Sequence, residues 1–144
     1  KNLLDSQVLT YARDYFKRKS DLLGVQGFFI IDLNGISLAS SRDSNTGTQN
    51  LITEHAPQLF QRVKEGETLL FPPMPPDVAY SDKRHRATMF VGTPIRNSLD
   101  EIFAVLTRRY DPAKDFSDLM RNAQFGKSGE SWCAGDGTDR TVVV

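Results

Sequence analysis

The chain predicts an α+β domain: five antiparallel strands with helices packed on the sheet. Three observations give that class. Apolar residues recur at helical spacing near both ends of the chain and once in the middle. Between them lie five short β-rich or alternating runs, at 28–31, 36–40, 68–71, 87–95 and 102–110. Three of the strand junctions are short enough to join antiparallel neighbours, so one antiparallel sheet with helices against it is the economical arrangement.

Each element has its own warrant. From Leu3 to Leu23, the apolar residues Leu4, Val8, Tyr11, Ala12, Tyr15 and Phe16 make one stripe on a helix over residues 1–23. No N-cap precedes Asn2, so this helix is expected to continue from a longer chain, and Gly24 and Gly27 stop it. Phe28 to Ile31 and Ile36 to Ser40 read as a hairpin, with Asn34-Gly35 suited to a tight primed turn. Helical spacing returns from Leu51 to Val63, and Pro57 divides that stretch into two short helices. Thr68 to Phe71 is a short strand that Pro72-Pro73 is expected to end. Ala87 to Ile95 and Ile102 to Tyr110 are two further strands joined through 97–100. Asp111-Pro112 opens a last helix over 112–125. Asp136-Gly137 reads as a turn, and Thr141 to Val144 as a final strand.

The bulk numbers limit the function classes. At 144 residues the chain is one domain by length. Eighteen basic residues balance eighteen acidic ones, which gives no long-range field for nucleic acid or an acidic membrane. No run approaches the roughly 18 apolar residues of a membrane span. One cysteine, Cys133, excludes an internal disulfide and a thiolate metal site.

Catalytic and metal motifs fail on inspection. Gly126-Lys127-Ser128 lacks the earlier Gly of a phosphate loop, since position 121 is Arg, and it stands after a helix rather than before one. Ser128 is followed by Gly129 and then Glu130, where a hydrolase elbow needs Gly. His55 and His85 have no carboxylates at ligand spacing; His55 is expected to pack at the edge of its helix. With no acid–base or nucleophile pair, the chain reads as a non-enzyme with no cofactor and no metal.

Three cationic positions point to binding. Arg86, Thr88 and Phe90 share a face of the fourth strand by the two-residue period. Arg108 and Arg109 are adjacent in the fifth strand, so one must point to each face, and an inward guanidinium needs a fixed anionic partner, either a protein carboxylate or a bound one. The polar segment from Ser40 through Arg42 to Gly47 could hold the polar end of a ligand; it also has the composition of an ordinary turn.

These residues resemble a known family. The run from Phe28 to Ser41, in which a strand ends at Asp32, turns through Gly35 and returns into Ala39-Ser40-Ser41, resembles the first hairpin of Cache sensor domains. Gly66-Glu67-Thr68 with Phe71-Pro72-Pro73, Val91-Gly92-Thr93-Pro94-Ile95, Ile102 to Leu106, and the closing Gly126-Lys127-Ser128-Gly129-Glu130-Ser131 are similar to four later segments of that family. The resemblance implies a PAS-like fold with a long N-terminal helix, short flanking helices, and a ligand cleft on the sheet face away from that helix. It implies a double Cache module, the membrane-distal one, over residues 1–129, with the sheet and its loops at 27–110. Residues 130–144 would begin a second module or form a terminal strand.

The function so implied is small-molecule sensing on the periplasmic or extracellular side of an inner-membrane signalling receptor, first of all a sensor histidine kinase. Ligand binding would shift the N-terminal helix, whose stripe would support a homodimer. The cleft would draw on Arg86, Thr88, Phe90 and Arg109 from the sheet and on Tyr80, Ser40 and Arg42 from the loops. Amino-acid-sensing members carry Tyr, Arg, Trp, Tyr and Asp. Tyr80 and Arg86 are similar to the start of that set, whereas Thr88, Met89 and Phe90 do not supply the Trp-Tyr pair and Arg109 stands near the place of the Asp. A ligand amine there would meet a like charge, so an organic anion or carboxylate is the expected ligand. The alternative reading is a cytoplasmic PAS- or profilin-like module that binds a protein and no small molecule; a polar-lined pocket would favour the sensor.

Overall fold

The structure, a computed structural model, describes residues 3–23, 27–75, 88–110, 134–137 and 140–143; for 20–23 and the two C-terminal segments it describes the backbone alone. The predicted helix over 112–125, the closing signature at 126–131, Tyr80 and Arg86 lie outside these residues.

A 3-10 turn at Leu3–Asp5 leads into helix α1, Gln7–Leu23. The strands follow as β1 (Gly27–Asp32) and β2 (Ser37–Ser40). After a second 3-10 turn at Asp43–Asn45 come α2 (Leu51–His55) and α3 (Pro57–Lys64). β3 (Leu69–Met74), β4 (Thr88–Arg96) and β5 (Ile102–Tyr110) complete a five-stranded sheet of order β2-β1-β5-β4-β3. Every pairing in it is antiparallel. β6 (Ala134–Gly137) and β7 (Arg140–Val143) pair with each other in a separate two-stranded sheet. The predicted fold class is thus the observed one.

Alternation along the strands separates two apolar layers. Phe29, Ile31, Phe71, Phe90 and Val105 face α2 and α3, which supply Ile52, Phe60 and Val63. Burying each such side chain stabilises by roughly 1.5–3 kcal/mol. Phe28, Ile30, Ala39 and Leu106 point the other way and meet Leu9, Ala12 and Phe16 of α1, with Phe16 stacked on Phe28 at 4.3 Å between centroids. α1 and the α2–α3 pair therefore cover opposite faces. Asn50 caps α2 by accepting from Ile52 N at 3.0 Å, and Pro57 opens α3 where a missing N–H costs nothing.

Several expectations require correction. The first helix is interrupted: a 3-10 turn precedes Ser6, and α1 proper begins at Gln7. Among the side chains described, its apolar residues form two stripes: Leu9, Ala12 and Phe16 pack against the sheet, and Val8, Tyr11 and Tyr15 are exposed. The β1–β2 turn is a three-residue loop, not a primed two-residue turn. Gly35 N donates to Asp32 O, Asp32 N donates to Ile36 O, and Gly35 alone in the loop takes positive φ, at 92°. The Asp32 side chain decides this by accepting from both Asn34 N and Ile36 N at Oδ1. β3 continues through Pro72-Pro73 to Met74. It lies at the sheet edge, and the ladder is irregular between Phe71 and Met74, so the absent N–H groups leave no gap in a central ladder. Asp136 and Gly137 are paired strand residues, opposite Thr141 and Arg140, and not a turn.

Candidate functional site

Two rows run across the sheet on the α2–α3 face, away from α1. One reads Ser40, Phe29, Thr107, Gly92, Leu69 in register from β2 to β3. The next reads Gly27, Arg109, Phe90, Phe71, and Thr88 lies two residues along β4 from Phe90. The register thus brings Ser40, Thr88, Phe90 and Arg109, all expected from the sequence, to one face. Arg42 stands just beyond β2, half-buried, with its N–H donated to Ser40 Oγ at 3.2 Å.

The two adjacent arginines separate as the strand period requires. Arg109 turns inward and keeps 5% of its surface exposed, its guanidinium 5.4 Å from the centre of the Phe90 ring and 5.7 Å from that of Phe29. Arg108 points to the other face, over Tyr110. Beside Arg109, Thr107 is fully buried and Thr88 is 6% exposed, and neither hydroxyl has a hydrogen-bond partner. Native interiors rarely leave such groups unsatisfied, since each costs about 1–3 kcal/mol. A cationic group lying against two aromatic rings, themselves 5.7 Å apart, with two idle hydroxyls beside it, is suited to binding a small ligand that carries hydrogen-bonding oxygens and negative charge.

Phe29 is also a wall of a cavity of about 280 Å3 that opens between the sheet, α2 and the loop before it. Asn45, Gln49 and Asn50 line it, with Glu54, His55 and Pro75. Asn50 is buried and rigid: its amide donates to Ser37 Oγ at 2.9 Å while its oxygen caps α2. His55 was expected to pack at its helix edge; it is exposed and lines this opening instead. Phe29 and Thr107 were missed as site residues, yet period two from Arg109 leads to Thr107, and the alternation of Phe28 and Phe29 forces one of them onto this face. The cavity had no local signal, because its walls come from segments far apart in the chain.

Arg13 ties this region to α1. Its Nε donates to Ser40 O at 2.8 Å and its guanidinium pairs with Asp43 at 2.7 Å. Residues on both sides of Arg42 are thereby fastened to the helix on the opposite face. Among the described residues no three of His, Cys, Asp and Glu converge as metal ligands, and no helix is long and apolar enough to cross a membrane.

Comparison with known proteins finds no matching family model and no matching curated protein. Solved structures do match. A sensory box sensor histidine kinase from Vibrio cholerae is 13% identical, covering 72% of this chain and 94% of that one, with a TM-score of 0.41. The PAS domain of BvgS from Bordetella pertussis is 19% identical over 79% of this chain and 96% of that one, with a TM-score of 0.40. VqmA of Vibrio cholerae, in a complex with ligand and DNA, is 14% identical over 84% of this chain and 62% of that one, at 0.47. The likeness is loose, and the fold stands on the strand order and register of the chain itself.

Proposed function

We propose that this chain is a non-catalytic, small-molecule-sensing module of a bacterial membrane signalling receptor, of the Cache type and on the extracytoplasmic side, and that its ligand is a small organic anion such as a carboxylate. The observation that carries the reading is the pair of buried hydroxyls without partners, Thr88 and Thr107, on the face that also buries Arg109 against Phe29 and Phe90. A ligand oxygen would satisfy the hydroxyls, and a negative charge would complement the guanidinium. The polar-lined cavity beside Phe29 favours a small-molecule sensor over a module that binds only protein.

Signalling is a population shift. Ligand contact on the sheet draws in the Ser40–Arg42 segment, and Arg13 passes that movement to α1, which would lead toward the membrane and an output domain such as a histidine kinase. Residues 130–144 are assigned to the start of a second module on the family resemblance alone.

Calorimetric titration with mono- and dicarboxylates of two to six carbons, beside the matching amines, tests this. The reading expects heat from at least one acid, with affinity at least tenfold lower in Arg109→Met. Heat from amines alone, or acid binding equal in Arg109→Met, overturns it.

A further inference from the structure

We infer that the ligand is an extended acid, with its carboxylate at Arg109 and Thr107 and an uncharged oxygen at its far end on Thr88. This deepens the anion reading above and rests on it. The register fixes how far apart the two hydroxyls stand. Thr107 pairs with Gly92, and Thr88 lies four residues along β4 from Gly92, on the same face. At about 3.3 Å per residue and about 4.8 Å between strands, their Cα atoms are roughly 14 Å apart. A hydrogen bond to each takes up about 2.8 Å, which leaves roughly 8–11 Å between two ligand oxygens. An extended chain advances about 1.2 Å per bond, so a chain of about six to eight carbons spans that gap. A shorter acid reaches one hydroxyl and leaves the other idle.

The cavity supplies the path. Phe29 in its wall is the register partner of Thr107, and Pro75 in its wall directly follows Met74, the partner of Thr88. Strands β5 and β4 lie between β1, which carries Phe29, and β3, which leads to Pro75. The cavity therefore runs across the sheet from the neighbour of one hydroxyl to the neighbour of the other. Its volume of about 280 Å3 is just below the roughly 300–1,000 Å3 of pockets for drug-sized ligands, which suits one narrow chain. Charge sets the direction of that chain. The Arg109 guanidinium lies against Phe29 as well as Phe90, which puts it on the Thr107 side and fixes the carboxylate there. Glu54 lines the cavity, and no described Lys or Arg does. A second ligand carboxylate would thus meet a like charge with no cation to offset it. An uncharged hydroxyl or carbonyl at the far end meets no such penalty, and the Thr88 hydroxyl can donate to it.

Affinities of the full chain for ω-hydroxyoctanoate, octanoate, octanedioate and ω-hydroxybutanoate test this. The first binds about tenfold tighter than ω-hydroxybutanoate and about three- to tenfold tighter than octanoate, the worth of the hydrogen bond to Thr88. Octanedioate binds more weakly than ω-hydroxyoctanoate. Thr88→Val erases the advantage over octanoate and leaves octanoate itself within about twofold, whereas Thr88→Ser keeps the advantage. Equal affinity for the short and long hydroxy acids, or octanoate as tight as ω-hydroxyoctanoate, overturns the inference while the anion reading stands. Binding of short carboxylates alone has the same consequence. No binding by any acid, short or long, overturns both.

Discussion

At the residue scale, Thr107 separates stability from binding. Its hydroxyl is fully buried without a partner, so Thr107→Val keeps the shape and removes an unsatisfied group. The variant should be more stable by about 1 kcal/mol in urea unfolding while its affinity for the anion falls. A destabilised Thr107→Val would show that the hydroxyl is bonded and argue against its binding a ligand. Gly92 in the same row has a different role. A Cβ there would stand 2.6 Å from Phe71 Cε2, in a ring that is fully buried. Gly92→Ala should therefore cost about 1–3 kcal/mol by overpacking. The sequence marks Gly92 as a strand residue, but the ring that fills its missing side chain belongs to β3 and is visible only once the strands are paired.

At the element scale, the two hairpins use one device. Asp32 Oδ1 accepts from Asn34 N and Ile36 N, and Asn97 Oδ1 accepts from Leu99 N and Glu101 N. Gly35 closes the first loop at φ 92° and Asp100 the second at φ 64°. Left-handed backbone costs an L-residue about 1–2 kcal/mol, so opposite outcomes are expected at the two sites. Gly35→Ala loses stability by about that amount, and Asp100→Gly gains up to about 1 kcal/mol, both read by chemical denaturation. Alternation and loop length made the strands legible from sequence. Turn type was not, because one carboxylate oxygen bridging two N–H groups outweighed the Asn-Gly preference. The passage of β3 through two prolines was hidden for a different reason: whether a strand is central or at an edge depends on the order of all five.

The loop from α3 to β3 makes a pH-dependent contribution. The hydrogen bond from Arg62, with Nη2 donating to Glu67 Oε2 at 2.6 Å, holds the Glu67 carboxyl below its ordinary value of 4.5. A depressed carboxyl contributes stability that is present above its unfolded value and is lost as pH falls through the folded one. Glu67→Gln should thus lower stability slightly near neutrality and leave it unchanged well below pH 4.5, so that its acid loss is flatter than that of the parent chain. The effect is small because both partners are exposed.

At the scale of the whole molecule, the sheet has one face for a ligand and the other for α1, and Arg13 reaches between them. Arg13→Ala should leave anion affinity within about threefold, since it removes no contact to the ligand and costs little at a half-exposed pair. It should abolish the change in hydrogen-exchange protection of α1 that ligand produces in the parent chain; an unchanged response would exclude this route. The sequence showed the sheet, the helices before β1 and between β2 and β3, and four residues of the shared face, because strand period fixes direction. It could not show that the apolar residues of α1 divide between sheet and solvent, since that depends on how the helix is rolled against β1, β2 and β5.

The most direct test is a two-dimensional NMR titration of the isotope-labelled chain with the carboxylate that gives calorimetric heat. The account predicts saturable shifts that centre on Thr88, Phe90, Thr107 and Arg109 and extend through Ser40 to α1, with the 97–101 turn unmoved. Saturable shifts confined to other surfaces, with these four residues unchanged at full occupancy, would contradict it.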